Sequence, residues 1–253
     1  MLRLVTKKDI ETTTQLQKIC VDVYIKVSSK LKAGMSEFDI ASLVEKELLK
    51  KGIHEYCYKI PILVLIGVER FKDVANSNYS IKSPSPEIVL NDGDVIYIDM
   101  HPMDSLSKRW GDWNTMAVFH PQENDEEQIA FLGLMRRILH DGIRSISSKM
   151  CGADVFNYYL NRFKEHTITL LDVRNNVGHS MHRGENSLSS RKFLDKNNHS
   201  TVAGGIYAVE PGGFRPKQNG HGIVVGRFEE CIFVPIRGKA VLLGENKILP
   251  FTI

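Results

Sequence analysis

Five short stretches of this 253-residue chain each set an acidic or histidine side chain in or beside an otherwise apolar, strand-like run. They are Ile98-Asp99-Met100, Gly111-Asp112-Trp113, Val177-Gly178-His179-Ser180, Val209-Glu210-Pro211 and Phe228-Glu229-Glu230. A carboxylate among such neighbours is costly to bury unless it is paired, hydrogen-bonded or bound to a metal. One such residue is usually a hydrogen-bonded structural aspartate. Four carboxylates and a histidine in series suit another need, the neutralisation of two divalent cations. Oxygen ligands supply the charge, and one imidazole is accepted by Mn, Fe, Co or Zn. A fold for this chain has to account for all five.

Periodicity places the elements around them. Leu16, Cys20, Val23, Val27 and Leu31 recur at three and four residues, the stripe of an amphipathic helix that Gly34 stops. Ser36 with Asp39 three residues on predicts a capped second helix to about Lys51, closed by Gly52. The apolar run 62–68 predicts a buried strand. Asn91-Asp92-Gly93-Asp94 predicts a turn before a strand at 95–100, with 113–119 as its hairpin partner. Ile129, Leu132, Met135, Leu139, Ile143 and Ile146 mark a long helix after Glu126-Glu127, and a shorter helix is predicted from Ala153 to Lys164. The two helical stretches read as weak copies, with Leu31-Lys32-Ala33-Gly34 matching Lys149-Met150-Cys151-Gly152. The expectation is one α/β (α+β) domain over residues 1–253, built of two pseudo-symmetric halves with helices outside a curved, mostly antiparallel sheet.

Charge and cysteine usage narrow the function. Lys and Arg number 33 against 30 Asp and Glu, dispersed along the chain, which argues against nucleic-acid or membrane partners. The longest apolar run is far below the ~20 residues that span a bilayer, and the start carries charge too early for a signal peptide. Cys20, Cys57, Cys151 and Cys231 form no C-x-x-C pair and are expected to be free thiols in a cytoplasmic protein.

The order Asp, Asp, His, Glu, Glu, in the contexts GDVIYIDMHP, WGDWNTMAVF, VGHS, YAVEPGGF and RFEECIFV, resembles the pita-bread dinuclear metallopeptidases. These are the methionine aminopeptidases, aminopeptidase P, prolidase and creatinase. AGMSEFDIASLVEKELLKKGI is similar to the helical opening of their catalytic domain, and GKAVLLGE to its closing strand. The resemblance implies the pita-bread fold and two divalent ions (Mn, Co, Fe or Zn). It implies that Asp99 chelates one ion, that Asp112 and Glu229 bridge both, and that His179 and Glu210 complete the second. The implied reaction is attack of metal-held water on the first bond of a peptide substrate, with Glu210 also moving a proton. Glu230 competes with Glu229, but strand alternation turns only one of them inward, and the similarity of EECIFV favours Glu229.

Three departures stand out. Asp99 and Asp112 are 13 residues apart, two more than the family usually shows; an even insertion within 104–108 keeps both on one face. The segment 76–81 lacks the histidine that active members carry upstream of the first aspartate. A second histidine, His182, follows His179 by only three residues; catalytic and substrate-binding roles are expected of it. His101, two residues after Asp99 and so on the same side of the strand, is expected either to reach the site as a ligand or hydrogen-bond donor, or to pack at the wet end of the hairpin. His221 and Trp113 are candidate substrate contacts; Trp110 and Trp113 bracket Asp112 and could equally cap the hairpin's apolar side. The leading expectation is a metal-dependent exopeptidase of Xaa-Pro or methionine type. The alternatives are an inactive binding module on this fold and a creatinase-like hydrolase of a non-peptide C–N bond. A homodimer is left open.

Overall fold

Side-chain chemistry sets where the first two helices begin. In the computed structural model, which describes residues 5–71, 83–172, 174–181, 191–244 and 249–253, α1 spans Lys7–Ser28 and α2 spans Glu37–Lys50. The hydroxyls of Thr6 and Ser36 accept the backbone N–H of Asp9 and Asp39 at 3.2 and 3.1 Å. Each aspartate in turn accepts the cap residue's own N–H, which closes a capping box. The apolar stripe of α1 runs on to Leu31, but the helix ends three residues earlier and Leu31 is buried in the turn that follows. After the 3₁₀ turn Glu123–Asp125 come α3 (Glu126–Ser145) and α4 (Gly152–Glu165).

The strands of the first half are β1 (Glu55–Tyr56), β2 (Ile62–Ile66), β3 (Val95–Met100), β4 (Pro102–Met103) and β5 (Trp113–Val118). Those of the second are β6 (Thr169–Leu170), β7 (Asn176–Ser180), β8 (Phe193–Asp195), β9 (Gly205–Val209), β10 (Gly212–Pro216), β11 (Ile223–Arg227), β12 (Glu230–Val234) and β13 (Val241–Leu242). They pair in the orders β1-β4, β2-β3-β5, β11-β10-β6 and β13-β12-β9-β7-β8, and the named strand ladders are antiparallel. The expected curved sheet is thus divided into separate sheets.

Period-two alternation sorts β2-β3-β5 into two buried faces. Ile62, Val64, Ile66, Ile96, Ile98, Met100, Trp113 and Ala117 pack under α1 and α2. Leu63, Leu65, Val95, Tyr97, Met116 and Val118 face α3, α4 and the strands of the second half. Strands covered on both sides read as near-continuous apolar runs, which is why 62–66 and 95–98 carry no polar side.

The two halves are related, in a register different from the one the sequence suggests. Ser36 and Cys151 are the equivalent N-caps, each bridging a distant residue, Val89 and Thr201. Gly34 lies before its cap with φ +86°, whereas Gly152 is the first residue of its helix. The two glycines therefore do not correspond. The four cysteines are free, and no helix among the described residues is long and apolar enough to cross a membrane.

Candidate metal centre

The β3–β5 ladder builds half of the site by spacing alone. Asp99 pairs with Asn114 and Met100 with Trp113. The same register, continued to the Met103–Trp110 bridge, sets His101 opposite Asp112. Asp99, His101, Asp112 and Asn114 therefore form a square of polar side chains on the face toward the second half. His101 Nε2 lies 3.0 Å from Asp99 Oδ1 and 3.6 Å from Asp112 Oδ1. Tyr97 donates to Asp99 Oδ2 at 3.0 Å, and Asn114 donates to Glu229 Oε2 at 2.7 Å. The added residues form a turn at 104–109, closed by Lys108 N–H to Asp104 O, so both aspartates keep one face.

The second half presents its side chains at strand ends. A bulge between Asn176 and His179 and a Gly178 at φ +147° bring His179 Nε2 to 3.4 Å from Asp112 Oδ2 and 3.6 Å from Glu210 Oε1. A Cβ on Gly178 would stand 2.2 Å from the Ala208 carbonyl oxygen, so no other residue allows this approach. Glu210 leaves the end of β9, and Glu229 sits in the break between β11 and β12; the β9–β12 register sets them opposite one another. Arg227 ion-pairs with Glu210.

Electrostatics show how crowded the charges are. Burial and the nearby carboxylates of Asp112, Glu210 and Asp99 push Glu229 well above the usual range, against the pull of Arg227. Burial would also raise Asp112, but the hydrogen bond to His179 and the charges of His101, His179 and Arg191 hold its carboxyl down. Burial would lower His101; the charge of Asp99, its hydrogen bond and Asp112 prevail and raise the imidazole to about 9.

These residues fit two divalent ions. Among the described residues, two groups bring their ligand atoms within 4.8 Å of one another: Asp99, His101 and Asp112, and Asp112, His179 and Glu229. Asp112 belongs to both. Glu229 Oε1 is buried without a hydrogen-bond partner, as an oxygen reserved for a cation would be. Both histidines turn Nδ1 to a backbone carbonyl, Pro61 O and Ser180 O, each at 3.1 Å. A carbonyl only accepts, so Nδ1 carries a proton and Nε2 is the atom turned to the centre, where a cation would displace the proton that the carboxylates hold on His101 Nε2.

The centre floors a cleft of about 360 Å³. Asp99, His101, Asp112, His179 and Glu210 line it, and Glu229 lies beneath. Three expectations need correction or fall elsewhere. Trp113 follows Asp112 directly, so alternation turns it to the opposite face, where it packs on Tyr24 at 5.6 Å. Trp110, two residues before Asp112, is the one on the cleft side, stacked on His179 at 5.7 Å. His221 is exposed in the turn that joins β10 to β11, and the whole of β11 separates it from Arg227. His182 and the segment 76–81 lie outside the described residues. Sequence reasoning missed Arg191, Tyr58 and Arg227, all of which line the cleft. Arg227 could have been found from its place two residues before Glu229, on the same face of an extended chain.

Residues 11–235 match the family described as Metallopeptidase family M24. The chain belongs to this metallopeptidase family. No curated protein sequence matches it. Among solved structures it is similar to an X-Pro aminopeptidase from Thermotoga maritima MSB8, at 17% identity and TM-score 0.75, covering 99% of this chain and 64% of that one. It is similar to an Xaa-Pro dipeptidase from Bacillus anthracis, at 16% identity and TM-score 0.77, covering 99% and 64%. A methionine aminopeptidase from Thermotoga maritima, at 17% identity and TM-score 0.72, is covered almost whole, with 96% of this chain against 99% of that one. The chain thus spans less than two thirds of the first two. The fold is the pita-bread fold of this M24 family.

Proposed function

We propose that this M24 member is a metal-dependent exopeptidase that hydrolyses the first bond of a short peptide. The observation that carries the reading is Asp112, shared between two three-residue groups at the floor of a peptide-sized cleft. Asp99 and His101 would hold one ion, His179 and Glu210 the other, and Asp112 and Glu229 both. Ions there, of Mn, Co, Fe or Zn, would polarise the scissile carbonyl and lower the pKa of attacking water. Arg227 holds one oxygen of Glu210 and leaves Oε1 toward the centre, where this carboxylate can take and return a proton. Tyr58 lines the cleft edge-on to His101, and Trp110 backs His179 from the core. The Glu210-Pro211-Gly212-Gly213-Phe214 segment and the 19-residue span to Glu229 resemble aminopeptidase P and prolidase, which favours Xaa-Pro substrates narrowly, while the length resembles a methionine aminopeptidase.

Digestion of a mixed peptide library with Mn²⁺ or Co²⁺, against an EDTA control, tests this by mass spectrometry. Metal-dependent loss of N-terminal residues is expected, and the trimmed sequences separate Xaa-Pro from methionine. No trimming in any metal overturns the reading. It would favour a binding module, consistent with the histidine missing from 76–81, or a non-peptide C–N substrate.

A further inference from the structure

Asn114 breaks the local rule of its strand. It lies inside β5, 1% exposed, on the face it shares with Met116 and Val118, where an apolar side chain is expected. Its amide is only half satisfied. Nδ2 donates to Glu229 Oε2 at 2.7 Å, while Oδ1 is buried with no hydrogen-bond partner. An unpaired buried carbonyl oxygen is costly, and a leucine at this position would avoid the cost. Such a departure from local preference is expected where the rest of the side chain has a task.

The task can be read from Glu229. It sits in the break between β11 and β12, where neither strand's ladder sets its backbone. Strand β5 supplies the missing anchors. The Glu229 N–H donates to Asn114 O at 3.4 Å, and two residues earlier the Arg227 N–H donates to Met116 Sδ at 3.0 Å. Asn114 therefore holds Glu229 by both backbone and side chain.

The chemistry of an amide suits this place. Asp112, Glu210 and Asp99 all act on the Glu229 carboxylate as like charges, so an untethered side chain would turn away from them. A cationic donor would tether it but oppose the ions, and a further acid would repel it. A neutral amide donates without adding charge. With Oε2 on Asn114, the unpartnered Oε1 is left for a cation. A carboxylate oxygen keeps a further lone pair, so Oε2 can also face an ion.

We propose that Asn114 is the positioning residue for Glu229, and that its amide donor keeps this carboxylate in the orientation that joins two ions. The proposal deepens the reading above, resting on its two-ion centre and on no particular substrate.

The test titrates Mn²⁺ into metal-free protein by calorimetry and follows it by electron paramagnetic resonance. The unaltered protein is expected to bind two ions and to give the spectrum of an exchange-coupled pair. In Asn114→Leu, which keeps the volume and removes the donor, the second ion is expected to bind at least about tenfold more weakly, with the spectrum of separate ions. Asn114→Thr, which suits a strand and keeps a donor, is expected to retain the coupled pair. A coupled spectrum that survives in Asn114→Leu overturns the proposal, and so does a single ion in the unaltered protein. Should Asn114→Leu not fold, nuclear magnetic resonance of the unaltered protein decides. The Asn114 side-chain amide protons are expected to exchange slowly and to shift when Zn²⁺ is added; fast exchange or no shift overturns the proposal. A coupled pair lost in Asn114→Leu, with no peptide cleaved by the unaltered protein, supports the positioning role and removes the exopeptidase reading.

Discussion

The β3–β5 ladder and the β9–β12 ladder occupy equivalent places in the two halves, yet they deliver their polar side chains by different means. Asp99 and Glu210 each stand six residues after a glycine in the left-handed region, Gly93 and Gly204. In the first half Asp99 and Asn114 sit within the ladder, and His101 and Asp112 follow directly past its end in the register that the Met103–Trp110 bridge continues, so all four are placed by alternation. In the second half the side chains come where pairing stops: after the bulge before His179, past the end of β9, and between β11 and β12. Regular pairing gives positions that tolerate change around them. Positions made by breaks depend on the few residues that permit the break.

Gly178→Ala should have the largest effect. Its Cβ would collide with a backbone oxygen of β9 at a φ that L residues avoid, so a loss of at least about 4 kcal/mol is expected in urea unfolding of the metal-free protein. Ile98→Val, at a regular position of β3, should cost only about 1 kcal/mol. A Gly178→Ala loss as small as that would remove the contrast between the halves.

Next comes the shared ligand. Asp112→Asn is expected to weaken binding of both ions at least about 100-fold by calorimetry, while His101→Ala weakens one of them by on the order of tenfold. Unchanged affinity in His101→Ala would make His101 a structural partner of Asp99 only.

Glu230 tests the break between β11 and β12. Burial raises its carboxyl to about 8, against the weaker pull of Arg136. The folded state then holds a proton that the unfolded chain releases near pH 4.5, so stability should fall as pH rises from about 5 to 8, by up to about 1 kcal/mol per pH unit. Glu230→Gln should flatten that slope relative to the unaltered protein; an identical slope in both would assign it to other groups.

The smallest expected effect compares the two equivalent N-caps. Ser36→Ala should cost about 1 kcal/mol. Cys151→Ala should cost less, because a thiol is a weaker acceptor.

What the sequence made legible follows the same division. The capped start of α2, the buried strand expected at 62–68 and found at 62–66, and the sharing of one side by Asp99 and His101 all rest on local rules: a capping box, an apolar run, a period of two. The same period argues against Trp113 as a cleft residue, since it adjoins Asp112, and sets Trp110 on the side of His179. His179, Glu210 and Glu229 stand out in the sequence as polar groups in apolar runs, but their individual places in the site come only from resemblance, because breaks in pairing have no period. Arg191 had no local signal at all. It reaches the cleft because β8 pairs with β7, twelve residues after His179, and only the fold sets its guanidinium against Tyr58.

One small contact has a wide consequence. The backbone carbonyl of Asp112 is held by Gln17 Nε2 of α1 at 3.0 Å and by Cys231 Sγ of β12 at 3.2 Å. The carboxylate common to both groups is therefore mounted on a peptide unit anchored from two sides. Were ions bound there, this carboxylate would move only by its own side-chain rotation while the other donors adjusted, because shifting its backbone would disturb a helix and a strand. Size discrimination among cations would then be tuned from Gln17 and Cys231, two residues that never touch the ion.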